Sequence, residues 1–157
     1  TFFSLNVIVK IMAEPISLIA SVAGLLDVSL RSSKALHSLQ SQLKNAPNLI
    51  RALSNEVEDL KAVLARVEDT AKASKASAQH TPTITATIID LEAQLLKAKA
   101  ILADLDTLTK KLAAEKPTLK RIKWCLKQSR ASELQTDLKE VRTKINELLV
   151  AHNRQVI

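Results

Sequence analysis

Apolar side chains recur at alternating steps of three and four residues through most of this chain, the spacing that keeps them on one face of an α-helix. The pattern is clearest at Ile50, Leu53, Val57, Leu60, Leu64, Val67 and Ala71. It returns at Ile88, Leu91, Leu95, Ala98, Leu102, Leu105, Thr109 and Leu112, where Leu96, Ile101 and Leu108 widen the stripe. A widened stripe implies contact with more than one neighbouring helix. A third run opens at Pro15 and aligns Leu18, Val22, Leu25, Leu36, Leu39 and Leu43, with Ser29 and Ser32 at the two intervening places.

Breaks in the pattern mark the ends of these helices. Asn45, Ala46, Pro47 and Asn48 close the first, and the Ala, Ser, Thr, His and Pro residues from Lys72 to Thr87 hold the main loop. Within that stretch Thr81 followed by Pro82 suits a cap and a first helical position. Pro117 interrupts the third stripe. Leu119, Ile122 and Leu126 then outline a short fourth helix, and Ser132 with Gln135 resembles a capping box that opens a last one along Leu134, Leu138, Val141, Ile145 and Leu148.

Composition excludes the sheet alternatives. There is one glycine, Gly24, and no tyrosine in 157 residues, whereas hairpins and strands draw on both. The β-branched run from Thr83 to Ile89 has no partner strand and is read as helix. The expected fold is therefore all-α, an antiparallel bundle of four to five helices, three of them long, each extending about 40 Å at ~1.5 Å per residue.

One domain over 12–155 is expected, preceded by an extension over 1–11, with Met12 as the natural start. The apolar stretch from Phe2 to Val9 is broken by Lys10, Glu14 and Pro15 before it reaches the ~20 residues a helical span needs. Cys125 is the single cysteine, so no internal disulfide can form, and a lone thiol suits the cytosol.

Residues that would carry chemistry are missing or scattered. With Gly24 alone, neither a phosphate-cradling loop nor a nucleophile elbow can be built. His37, His80 and His152 lie on different elements without ligand spacing and are expected at the surface or in loops. Glu58 with Asp59, Glu68 with Asp69 and Asp104 with Asp106 sit among lysines, where ion pairing is their ordinary role. The expectation is a protein that is not an enzyme and holds no cofactor or metal.

Two features exceed what a plain bundle requires. Beside its main stripe, the first helix carries a second one of Ile16, Ile19, Ala23, Leu26 and Leu30, so it is apolar around most of its circumference from 16 to 30, with Asp27 as its only charge. Such a helix is either central to the bundle or free to meet a membrane or a partner, through Ile16, Ile19, Val22, Leu25, Leu26 and Leu30.

The second feature is the placement of charge. Residues 1–109 and 131–157 are each neutral, whereas 110–130 set Lys110, Lys111, Lys116, Lys120, Arg121, Lys123, Lys127 and Arg130 against Glu115 and so carry the whole net charge of +7. Trp124, the only tryptophan, lies among them. The segment is a solvated face, or a basic patch of Lys116, Lys120, Arg121, Lys123, Trp124, Lys127 and Arg130 for an anionic membrane surface. Trp124 between Ile122 and Leu126 also suits the core. Nucleic acid is the weaker partner, because no stacking platform accompanies the lysines.

The stretch from Met12 to Asp27, MAEPISLIASVAGLLD, resembles the start of the fungal N-terminal domain of STAND proteins, the HeLo-like group, with Gly24 matching a glycine near the middle of its apolar helix. The run Lys123, Trp124, Cys125, Leu126 and Lys127, with the helix from Glu133 to Leu149, is similar to that family's closing helices, and the resemblance spans Met12 to His152. It implies a helical-bundle effector module of an NLR-like receptor, acting in programmed cell death by membrane targeting through the first helix, here Ile16 to Leu30. Self-association on activation and recruitment from the cytoplasm to the plasma membrane would follow. The alternative is a cytosolic adaptor or oligomerisation bundle without membrane action.

Overall fold

The computed structural model describes the backbone of residues 2–43, 48–76 and 82–156 and the side chains of 18–43, 48–73 and 86–154. Four helices account for nearly all of it: α1 Phe2–Gln42, α2 Asn48–Ala76, α3 Pro82–Ala113 and α4 Pro117–Val156. The fold is all-α, as the spacing of apolar residues predicts.

The helices form two antiparallel hairpins, α1 with α2 and α3 with α4. Along α1 and α2, Ser33 meets Glu58 while Leu18 lies near Val67 and Ala71, so the two run in opposite directions. The hairpins then pack with α1 beside α3 and α2 beside α4. Ala20 to Val28 run alongside Glu92 to Lys99 in the same direction, so α1 and α3 are parallel neighbours, while α2 and α3 lie across the diagonal.

One apolar seam runs the length of this arrangement. On α2 every residue of the expected stripe is buried, with Val63 added. On α3 the stripe from Ile88 to Leu112 is buried throughout, joined by Leu108, and Ile101 packs against it from the side. Leu96 does not share that fate: it is 68% exposed, because α3 needs only the faces that meet α1 and α4.

α1 enters the seam with Leu18, Val22, Leu25, Leu36, Leu39 and Leu43, and fills its middle with Ser29, Ser32 and Ser33. The expected serine positions are thus real core positions. Ser33 donates to Glu58 Oε1 across to α2 at 2.5 Å, but the hydroxyls of Ser29 and Ser32 are buried without a hydrogen-bond partner. A buried polar atom left so costs about 1–3 kcal/mol.

Two expectations are corrected. Helix α1 does not open at Pro15 but runs from Phe2, since proline removes one N–H from the ladder and leaves the other rungs of a 41-residue helix intact. The stretch expected to hold the main loop does separate two helices, with α2 continuing into it as far as Ala76 and α3 starting at the expected Pro82. The short fourth and closing helices are one 40-residue helix, α4, in which Pro117 takes the first position and the Lys120 N–H bonds back to the Lys116 carbonyl.

No glycine or proline stands between Leu126 and Leu134 to stop α4, and the carbonyl of Ser132 accepts from Thr136 Oγ1 like any interior helical residue. Its buried line is Lys120, Trp124, Ala131, Leu134, Leu138, Val141, Ile145 and Leu149. Leu149 takes the place expected of Leu148, which is only partly buried.

Replacing Ser29 or Ser32 by alanine is expected to raise the free energy of unfolding by about 1 kcal/mol each, because an orphan hydroxyl disappears and helix propensity improves. Leu102→Ala, at a fully buried site, is expected to lower it by about 2–5 kcal/mol. Urea titration followed by circular dichroism measures both.

Candidate interaction surfaces

Polar side chains in the interior are single, and the features that remain are surfaces. Among the described residues no group of three or more His, Cys, Asp or Glu side chains comes together in a way that would hold a metal ion. The carboxylates that sequence places in pairs stand on outer faces, where Glu68 meets Lys72 at 3.2 Å and Asp106 meets Lys110 at 2.8 Å. Arg142 Nε donates to Glu56 Oε2 at 3.0 Å and ties α4 to α2 in a partly buried setting.

His152 corrects the expectation of a surface histidine. It is buried at the end of the bundle where α1, α2, α3 and α4 meet, beside Leu18, Val67, Ala71, Ile88 and Leu149. Removal from water holds its pKa below the ordinary histidine value. The α4 stripe explains the placement, since His152 follows Ile145 and Leu149 at helical spacing. His37 is exposed, and His80 lies outside the described residues.

The first helix shows two sides. Val22 and Leu25 of the apolar set are in the core, Ile19 and Leu26 are half-buried against it, and Leu30 is 42% exposed; the side chain of Ile16 lies outside those described. The helix is one of four equal walls, not a central rod. Its outer face presents Ala20, Ser21, Ala23, Gly24 and Asp27, and Asp27 pairs with Arg31 at 3.4 Å.

Where α1 and α3 run in parallel, Ala20, Ser21, Gly24 and Val28 floor a groove of about 450 Å³ whose far wall is Leu95, Leu96, Glu92 and Lys99. A methyl group built on Gly24 would meet no atom within 4 Å. Small residues on α1 leave this space, and the protruding Leu96 deepens it. Among the described residues no helix is long and apolar enough to cross a membrane.

The basic segment divides in a way that its sequence does not announce. Lys116, Arg121, Lys123, Lys127 and Arg130 are exposed, but Lys120 is turned inward, where its ammonium donates to Gln42 Oε1 on α1 at 2.6 Å. Trp124 is buried in the core cluster, so the patch has no aromatic at its surface. Its indole N–H has no partner there. What α4 turns outward instead is Leu119, Ile122 and Leu126, the three residues expected to form the inner stripe of a fourth helix.

The reason is register. Stepping back from Leu134 by helical intervals gives Ala131, Lys127, Trp124 and Lys120; Lys127 stays exposed, while the stem of Lys120 can lie along apolar surface and its head reaches Gln42. Leu119, Ile122 and Leu126 fall on the opposite side. Lys123 is paired with Glu115, and Arg130 is held by Asp104 of α3 at 2.6 Å and by Glu133 at 3.0 Å. The Arg130 pKa is raised by these carboxylates, Glu133 first.

Residues 13–81 match the family model described as Pigment biosynthesis cluster protein PigL N-terminal. The matched stretch takes in most of α1 and all of α2, the first of the two hairpins. No curated protein and no solved structure matches the chain. The description matched is that of an N-terminal domain, consistent with a fungal helical domain.

Burial of neutral His152 makes stability depend on pH. Its folded pKa lies below the unfolded value near 6.5, so its contribution is intact above that pH and is lost as pH falls from there towards the folded value. Unfolding midpoints are expected to drop as pH falls below about 6.5. The drop should be smaller in His152→Leu, and urea titrations of both proteins across that range measure it.

Proposed function

We propose that this bundle is a non-enzymatic N-terminal signalling module of the kind that opens fungal NLR-like receptors, with α1 as its working part. At rest α1 is stowed against α2 and α3. On assembly of several copies it leaves the bundle and lays its apolar residues into a membrane surface, the step that links such a module to programmed cell death.

The observation that carries this reading is the middle of the α1 seam. Where α2 places an unbroken line of Val, Leu and Ile, α1 places Ser29, Ser32 and Ser33, and two of the three hydroxyls have no partner. Burial of apolar area is what holds a helix in a bundle, at roughly 25 cal/mol per Å², so a seam interrupted by serine holds less firmly. The residues before that waist, Ile19, Val22, Leu25 and Leu26, gain a second apolar environment when they leave.

Insertion across the bilayer is not part of the proposal. A helix of this apolarity lies in the interface, with its greasy face among the acyl chains and its polar face in water. The match to an N-terminal domain family agrees with a position ahead of other parts of a larger protein.

A second reading, an adaptor that assembles without lipid, is favoured by the groove between α1 and α3, whose Gly24 floor and Leu96 wall suit a helix from another chain.

Leakage from vesicles containing phosphatidylserine separates the two. The resting chain is expected to release little dye, and the same chain beginning at Met12 and fused to an oligomerising tail is expected to release most of it. Leu30→Glu, at a half-exposed site that the fold tolerates, should cut the leakage about tenfold by putting charge on the inserting face. Silence from both proteins, with stable assembly, would leave the adaptor reading standing and refute the first.

A further inference from the structure

The densest run of exposed large apolar residues in the described structure lies on α4, away from α1 and its proposed release. Leu119 is 43%, Ile122 57% and Leu126 76% exposed, at positions i, i+3 and i+7 of one helical face. Three such side chains in line, spanning about 10 Å of helix, form a continuous apolar strip rather than scattered exposures.

The charges beside the strip have one sign. By helical spacing Arg121 and Lys123 border the strip on its two sides, Arg121 without a carboxylate partner among the described residues and Lys123 with only Glu115, while the exposed Lys116 and Lys127 lie nearer the buried line and add to the positive charge around it. This half of α4 belongs to the segment that holds the chain's entire net charge of +7. An apolar strip at i, i+3, i+7 bordered by cations is one half of a helix–helix contact. The complementary half is apolar along one stripe and acidic at its margins.

We propose that the N-terminal half of α4 is a docking face for an acidic amphipathic helix of another protein. Leu119, Ile122 and Leu126 provide its apolar anchors, while Arg121 and Lys123 at its margins, with Lys127 farther round, select for carboxylates and fix orientation.

Two observations favour a helix over a lipid surface as the occupant. Trp124, the one residue suited to sit at a headgroup boundary, points into the core. Two turns beyond Leu126 the same face ends in Glu133, a carboxylate that a flat anionic plane would meet and that a partner of about two to three turns would not reach. The strip is bounded, as a peptide site is and a membrane face is not.

The test uses the full chain and three probes: a labelled helical peptide with leucines at i, i+3 and i+7 flanked by glutamates, the same peptide with lysines for glutamates, and vesicles of phosphatidylcholine with phosphatidylserine. Fluorescence anisotropy is expected to show binding of the acidic peptide and none of the basic one. Ile122→Ser with Leu126→Ser, or Arg121→Glu with Lys123→Glu, should each weaken that binding about tenfold or more.

These positions are exposed, so the fold should persist, and circular dichroism checks it. Leu96→Ser on the other exposed face should change nothing, and raising salt from about 0.05 M to about 0.5 M should weaken binding further. The proposal is overturned if the acidic peptide does not bind or binds equally well to the α4 variants. It is overturned too if vesicles alone engage these residues, or if sedimentation shows a dimer of the chain that Leu126→Ser disrupts.

Discussion

A single apolar seam shared by four helices carries this structure, and its weakest stretch is the place where α1 supplies serine. Ile50, Leu53, Val57, Leu60 and Leu64 on α2 and Leu102 and Leu105 on α3 are fully withdrawn from water, as are Leu134, Leu138 and Ile145 on α4. Against them α1 sets leucines towards its two ends and hydroxyls between. Because helices this long owe their order to packing more than to intrinsic propensity, the local strength of the seam decides which helix opens first.

Polar ties also join the helices. Arg142 with Glu56 and Arg130 with Asp104 fasten α4 to α2 and α3, whereas α1 is fastened by Ser33 to Glu58 and, near its end, by Gln42 accepting from Lys120. The Ser33 hydroxyl is the main reason the Glu58 carboxyl titrates below its ordinary value, with Lys61 adding to it. Each α1 tie joins a buried side chain, Ser33 or Lys120, to an exposed one, Glu58 or Gln42, and so helps to fix where α1 lies. α1 is thus located by these ties, while its apolar residues carry its attachment to the bundle.

Much of this was legible in the residues. The stripes of α2 and α3 and the serine places of α1 follow from three-and-four spacing alone, and Thr81 with Pro82 marked the start of α3. α4 was legible only as a whole. Splitting it at Ser132 and Gln135 made Leu119, Ile122 and Leu126 look like the inner face of a separate helix, whereas extending the register of Leu134 backwards selects Ala131, Trp124 and Lys120.

Burial of a lysine and exposure of three large aliphatics ran against residue type, and only the continuity of the helix decides between the two faces. His152 escaped notice for a related reason: its polarity outweighed its place in line with Ile145 and Leu149. The groove beside Gly24 could not be read at all, because it depends on α1 and α3 being parallel neighbours, a matter of how the hairpins pack. The seam and the surfaces are therefore linked, since the residues that α4 commits inward determine which it leaves for a partner.

Native-state hydrogen exchange, resolved by residue and followed across low denaturant, tests the central claim most directly. The account predicts that amides of α1 from 18 to 42 exchange through a partial opening that costs less free energy than global unfolding, while those of α2 and α4 near the seam exchange only with global unfolding. Exchange of α1 at the same free energy as α2, with no separate opening, would contradict it.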